Sequence, residues 1–510
     1  MGIKIWHRQG MPPCLVFHER LIFFRIRTEV EIRGGMTMSD DLAHLTATEL
    51  VEGYRSGKFS PVEATEAALR RIGMFNETLN AFVFVDEERA LAEARKSELR
   101  WRHNEPVGLV DGVPTTIKDL ILTKGWPTLR GSLSIDAAGP WNEDAPVTAR
   151  LKEQGAVILG KTTTPEFGWK GVTDSPRTGI TRNPWNPAMT PGGSSGGAAA
   201  ACAAGMGALH VGTDGGGSIR IPCGFTGIFG LKPSYGRVPA WPLSPFGSVA
   251  HIGPMTRSVA DAARMLQVIS GPDARDWTAL PQTETHYISR LTGDLRGKKI
   301  AFSPTLGYAR VHPEVASAVK HAAGLFEELG AIVEEVDPGF ANPLPIFNAI
   351  WWSGAAFALR HLNDRQRSEL DPGLQQVVRE GEKITLTDYL EASQMRGELG
   401  GRMRQFHERY DLLITPSLAI PAFEVGKLAP DDLASVGAWV DWTPFSYPFN
   451  LTQQPACSIP CGLTSDGLPI GLQIVGPMHG DLAVLNAAAA FEKICPEATM
   501  RPDLSRLIAQ

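Results

Sequence analysis

Apolar positions along this chain switch repeatedly between the roughly 3.6-residue spacing of helices and short unbroken runs typical of buried strands. Thr46-Ala-Thr-Glu49 and Ser60-Pro-Val-Glu63 are capping boxes, the second with proline at the first helical position, so both predict helix starts. Gly57 ends the first helix. Ala81-Phe-Val-Phe-Val85 is rich in β-branched and aromatic residues and predicts a strand, and the Glu/Ala/Arg-rich stretch from Glu87 to Leu99 predicts a helix. Ala156 to Leu159 reads as a second strand, ending at Gly160-Lys161. Ala208 to Val211 reads as a third, entering a Gly-Ser segment at Gly212. Further on, Ser258 to Ile269 and Pro313 to Leu329 are amphipathic helices. Lys299 to Phe302 and Ala331 to Val336 are strands, and Leu412 to Ile414 leads into Thr415-Pro416-Ser417.

Alternating strands and helices predict the α/β class. No internal repeat, low-complexity tract or Pro/Ser linker interrupts residues 38–505, which therefore read as one large domain. Residues 1–37 read differently. Their apolar run Leu21 to Phe24 is far too short to span a bilayer, and Met36 and Met38 directly precede Ser39-Asp40-Asp41. This stretch is expected to be a disordered extension or a start-site artefact.

Composition removes several functional classes. With 510 residues, 43% hydrophobic and 20% charged, the chain is long enough for a sizeable core, and a formal charge of -6 argues against a nucleic-acid binder. Cysteines at 14, 202, 223, 457, 461 and 495 are too scattered for a disulfide framework. Cys457 and Cys461 lack the second ligand pair of a zinc site. Free thiols in a reducing compartment, hence a cytoplasmic protein without membrane association, are the expectation. No His-Glu-x-x-His constellation occurs, and neither a metal nor a cofactor is called for.

The candidate chemistry lies in two stretches. One is Gly112 to Asp119 (GVPTTIKD), which holds Lys118. The other runs from Gly192-Gly193-Ser194-Ser195-Gly196-Gly197 to Gly212-Thr213-Asp214-Gly215-Gly216-Gly217-Ser218-Ile219-Arg220. They supply a base, hydroxyls and a row of unobstructed N–H groups, the parts of an acyl-transfer site. Ser218 follows three glycines and is the candidate nucleophile. A phosphate-binding loop is the competing reading, but no Gly-Lys-Ser/Thr follows. Ala198 to Ala204 predicts a buried helix between the two serine loops, bringing both to one edge of a sheet. A single lysine is ordinarily a solvated surface charge, and the joint presence of both serine motifs reverses that reading for Lys118. To act as a base it must lose its proton near neutrality, which requires a pKa lowered by roughly 2 to 3 from about 10.4.

With Lys161-Thr162-Thr163, Glu166-Phe167, Asn183-Pro184-Trp185-Asn186 and Gly230-Leu231-Lys232-Pro233, these motifs resemble the amidase signature family from about Leu42 to Phe491. These are serine hydrolases with a Ser-Ser-Lys triad. The resemblance implies a mixed central sheet covered by helices, Lys118 as base, Ser194 as relay through a cis peptide, and Ser218 as nucleophile. It further implies an oxyanion hole of the Gly215, Gly216, Gly217 and Ser218 N–H groups, Gly168 and Trp169 near the acyl site, and a homodimer.

Ser195 competes with Ser194 for the relay, its other role being to hydrogen-bond the loop. Asp214 and Arg220 are expected to form a structural ion pair; Asp119 and Lys232 likewise look architectural, and His210 and His251 read as packing residues. Trp241, Phe246, Trp351 and Trp442 are pocket candidates from the dense aromatics, although core is the safer reading for each singly. The implied partner is a small-molecule or aryl amide, with esters and carbamates as further substrates. Alternatives are the amidase subunit of a glutamine-dependent tRNA amidotransferase, which the Trp241 to His251 run argues against, and an allophanate or ureido hydrolase.

Overall fold

Eleven strands form the central sheet of a computed structural model that describes residues 42–281, 286–430 and 438–508. The proposed extension, residues 1–37, lies outside the described residues. In chain order the strands are β1 (Phe82–Val85), β2 (Pro114–Lys118), β3 (Val157–Thr162), β4 (Asp174–Ser175), β5 (Gly179–Ile180), β6 (Leu209–Asp214), β7 (Phe229–Lys232), β8 (His251–Thr256), β9 (Lys299–Phe302), β10 (Ile332–Glu335), β11 (Leu412–Pro416), β12 (Ala456–Leu463) and β13 (Pro469–Val475). The large sheet has the order β1-β3-β2-β6-β8-β7-β12-β13-β11-β9-β10, while β4 and β5 form a separate hairpin. Pairing is mixed: β3, β2 and β6 run parallel, as do β11, β9 and β10, and the strands between them alternate. The fold is thus the single large α/β domain with a mixed, helix-covered sheet that the sequence predicts. Among the described residues no helix is long and apolar enough to cross a membrane.

Local signals set the helix ends. Thr46 and Ser60 both close reciprocal capping boxes with Glu49 and Glu63, and Gly57 takes the left-handed conformation that ends the first helix. Three predicted boundaries move. The helix from Glu87 continues to Arg102. Strand β3 does not stop at Gly160 but runs on to Thr162, because β1 pairs along it so closely that a Cβ on Gly160 would lie 2.1 Å from the Phe84 carbonyl oxygen. Likewise β6 passes straight through Gly212, which pairs with Gly253 of β8, and ends at Asp214. Both glycines serve close strand approach rather than loop freedom.

The stretch 344–406, to which periodicity assigns no element, holds helices Leu344–Leu359, Asp364–Ser368, Pro372–Gly381 and Leu386–Phe406. The first is apolar nearly all round, so it shows no amphipathic stripe. It packs into a second core beside the sheet, which also takes in Trp169, Trp439, Trp442, Phe445, Tyr447 and Phe449.

Candidate active site

Lys118 is the last residue of β2, between two parallel neighbours, and is fully buried. Its Nζ lies 2.7 Å from Ser194 Oγ, 2.8 Å from Ser195 Oγ and 2.9 Å from Thr213 Oγ1. Among the described residues it has no carboxylate within ion-pair distance. Burial therefore dominates, holding the amine well below its usual range against the opposing attraction of Asp214. Lys161 offers an internal contrast. It pairs in register with Ile117, not Lys118, so the pleat turns it to the opposite face. There it meets Asp119 at 3.4 Å, the Ile121 carbonyl and Thr128, and burial lowers it to about 8 in spite of the carboxylate.

The Gly193–Ser194 peptide is cis. Gly196 and Gly197 then open the buried helix Gly196–Ala203 rather than extending the loop. Added Cβ atoms there would stand 2.3 Å from Thr173 Oγ1 and 2.3 Å from Thr163 Oγ1, so close packing demands glycine at both. The two serines differ in what their protons do. Ser195 Oγ donates to the Thr213 carbonyl (3.1 Å) and accepts from the Thr213 N–H (3.2 Å). Ser194 Oγ has Lys118 as its one hydrogen-bond partner among the described residues.

After β6 the chain turns through Gly215-Gly216-Gly217 to Ser218. The Asp214 carboxylate clamps this turn, accepting from Gly217 N–H (2.7 Å), Ile219 N–H (3.2 Å), Asn450 Nδ2 (2.8 Å) and Arg220 Nε (2.9 Å). Burial opposes its charge, but Arg220, Lys232 and Asn450 outweigh burial and hold it well below the ordinary carboxylate range. Arg220 in turn reaches the Ser446 carbonyl, Gln473 and Asn450. Asp214 and Arg220 form an ion pair, and the Gly217 N–H, an expected oxyanion donor, donates to Asp214 with the residue at φ 127°. The N–H groups of Gly215, Gly216 and Ser218 have no partner among the described residues.

Ser195 N–H donates to the Ser218 carbonyl at 3.2 Å, tying the two serine loops together. Lys232 donates to the Gln454 carbonyl. His210 bonds Thr116 away from the cavity, whereas His251, expected as a packing residue, bonds the carbonyls of Val249 and Asp214 and also lines the cavity.

A cavity of about 1000 Å³ opens over this machinery, with Gly168, Ser194, Gly215 and Ser218 in its wall. Of the aromatic candidates, Trp241, Phe246 and Trp351 line it, and Phe246 stacks on Trp351 at 4.0 Å between ring centroids. Trp169 and Trp442 do not. Gly168 turns the chain at φ 71°, and the adjacent Trp169 indole enters the second core, where it meets Gly373. Trp442 stacks on Phe225 at 5.6 Å, fully buried. Thr213 escapes the sequence reading because Gly212 looks there like the start of a loop, whereas β6 runs on to Asp214 and Thr213 Oγ1 meets Lys118 at the strand end. Among the described residues no three His, Cys, Asp or Glu side chains gather as metal ligands.

The chain is similar to known proteins over most of its length. Residues 63–485 match the family model described as Amidase. An acylamidase from Rhodococcus erythropolis is 39% identical over 475 residues, covering 92% of this chain and 99% of the relative. A glutamyl-tRNA(Gln) amidotransferase subunit from Chloroflexus aurantiacus is 35% identical over 489 residues, with 91% and 99% covered. Among solved structures, a bacterial aryl acylamidase of the amidase signature family superimposes with a TM-score of 0.83 at 32% identity, covering 90% of this chain and 99% of that one.

Proposed function

The chain belongs to the amidase signature family, hydrolases of amide carbon–nitrogen bonds, and from that premise we propose that it cleaves small or aryl amides through an acyl-enzyme on Ser218. The observation that carries this reading is a buried lysine whose amine meets three hydroxyls and no carboxylate. Burial without a counter-ion favours the neutral amine, which is the form that accepts a proton.

Neutral Lys118 takes the Ser194 proton as Ser194 takes that of Ser218, and Ser218 Oγ attacks the carbonyl carbon. Negative charge builds on the former carbonyl oxygen, facing the unpartnered N–H groups of Gly215, Gly216 and Ser218. The same proton returns through Ser194 to the leaving nitrogen, and the amine departs. Water then attacks the acyl ester, giving its proton along the same path, and Ser218 is regenerated with release of the acid. Ser195 serves as loop support because its proton is already engaged. The Phe246–Trp351 stack beside Gly215 suits a flat apolar group, supporting aryl or long acyl substrates; esters and carbamates share the same tetrahedral chemistry.

Purified protein is expected to hydrolyse p-nitroacetanilide alone, to lose this in Ser218→Ala, and to be labelled by a fluorophosphonate at Ser218. Labelling elsewhere with activity retained in Ser218→Ala would sink the assignment. A second reading, a component of a tRNA amidotransferase, is supported by the relative from Chloroflexus aurantiacus. It predicts activity only with glutamine and a partner protein. The run Trp241 to His251 contributes cavity wall, which favours the stand-alone enzyme. A cytoplasmic homodimer completes the reading; the free thiols of Cys202, Cys223, Cys457, Cys461 and Cys495 are consistent with a reducing compartment.

A further inference from the structure

The cavity wall carries a cation with no hydrogen-bonded or ion-paired partner among the described residues. Arg130 lines it together with Gly168, Ser194 and Ser218. Its backbone is strapped at both ends, N–H to the Asp119 carbonyl at 3.1 Å and carbonyl from the Phe167 N–H at 2.8 Å. The residue therefore stands between the strand end that bears Lys118 and the turn that bears Gly168. It holds φ 54°, a left-handed conformation uncommon for a side chain of this size.

Despite that anchoring, its guanidinium makes no hydrogen bond or ion pair among the described residues. Asp119, the carboxylate whose field reaches it, is paired with Lys161 on the other side of the sheet at 3.4 Å. Other arginines nearby are fully engaged: Arg177 donates to the carbonyls of Ser132 and Ile135, and Arg220 has its carboxylate and amide partners. The acid that lines the cavity, Asp276, accepts from Ala240 N–H at 2.8 Å and from Thr278 N–H and Oγ1 at 2.9 and 2.6 Å. The wall mixes aromatic and aliphatic side chains with hydroxyls, and in it Arg130 presents a fork of five donors that no protein acceptor meets among the described residues.

Building on the Ser218 reading, we propose that Arg130 is a specificity-determining residue that receives a carboxylate carried by the substrate. The preferred substrates are then amides with an apolar or aryl group on one side of the scissile bond and a carboxylate on the other, such as N-acyl amino acids or ω-carboxyacyl anilides. A guanidinium presents two parallel N–H donors to a carboxylate, and apolar surroundings strengthen that contact relative to water.

The test measures kcat/KM for two matched pairs. Glutaranilate against hexananilide puts the carboxylate on the acyl side. Phenylacetylglycine against N-propyl-phenylacetamide puts it on the amine side. Wild-type protein is expected to favour the carboxylate member of one pair by about tenfold or more. Arg130→Met, which faces the same backbone φ, is expected to erase that preference through KM while changing the neutral member less than about twofold; Arg130→Lys retains part of it. No preference in either wild-type pair overturns the proposal, as does an equal loss on both members in Arg130→Met, the mark of a purely structural arginine. Should Arg130→Met not fold, the wild-type ratio and Arg130→Lys decide alone. Ser218-dependent cleavage of neutral amides without any carboxylate preference rejects Arg130 alone, whereas absence of all Ser218-dependent hydrolysis rejects the amidase reading and this one with it.

Discussion

Gly215 and Trp351 pack so closely that a Cβ on the glycine would stand 2.7 Å from Cζ3 of the indole. Gly215 has an ordinary φ, so an alanine there is opposed by the ring and not by the backbone. Gly215→Ala is expected to lower kcat at least about tenfold by displacing the N–H beside Ser218, and to cost about 1 to 3 kcal/mol of stability through overpacking. Trp351→Phe removes the clashing ring edge and should restore part of both. A double-mutant cycle with a coupling below about 0.5 kcal/mol would show the two sites to be independent.

The acid limb of kcat/KM is expected to follow Lys118, far below the usual lysine range, because burial lowers it and Asp214 only partly offsets that. Activity rises as pH climbs through this lowered value, where the amine becomes neutral. Over the window up to its unfolded pKa the native state holds fewer protons, so this group's contribution makes stability rise with pH. Thr213→Val removes one of three oxygens that solvate the ammonium form. The limb should then move to lower pH, as a pH–rate series would record; an unmoved or raised limb contradicts the account of Thr213.

Ser194 and Ser195 lie almost equally near Lys118, at 2.7 and 2.8 Å, yet the Ser195 proton is bound to the Thr213 carbonyl. Ser194→Ala is expected to cut kcat about 100- to 10,000-fold with the fold intact. Ser195→Ala should cost less than about tenfold in kcat and about 1 kcal/mol in stability, from the lost loop hydrogen bonds. The reverse order, measured by steady-state kinetics and denaturant melts, would assign the relay to Ser195.

What could be read in the sequence was local. Capping boxes at Thr46 and Ser60, the alanine helix after Ser195 and the paired motifs around Lys118 and Ser218 carry their meaning in adjacent residues. What could not be read depends on partners far along the chain. Gly160 and Gly212 look like loop glycines until β1 and β8 are paired against them, and the misplaced end of β6 hid Thr213. Trp169 and Trp442 have the same local appearance as Trp351; only distant partners, Gly373 for Trp169 and Phe225 and Phe423 for Trp442, set them in the core while Trp351 lines the cavity. Arg130 belongs to no motif, and its donors are left open because the acid beside it, Asp119, is paired with Lys161.

A last expectation lies away from the active site, at Glu492 on the helix Asp481–Ile494. Its Oε1 accepts from the Val259 N–H at 2.8 Å, and burial, with Asp261 adding to it, raises the carboxyl to about 7 from an ordinary value near 4.5. Between those values the native state keeps a proton that the unfolded chain has released, so stability falls as pH rises from 4.5 to 7 and stays lowered above. The full effect is at most about 3 kcal/mol, less any screening at this partly exposed site. Glu492→Gln keeps an acceptor for Val259 and cannot ionise. Its melting temperature relative to wild type should therefore climb across that pH interval and level off above it. A constant difference between the two proteins from pH 4.5 to 7 would mean that the Glu492 carboxyl ionises normally in the folded state.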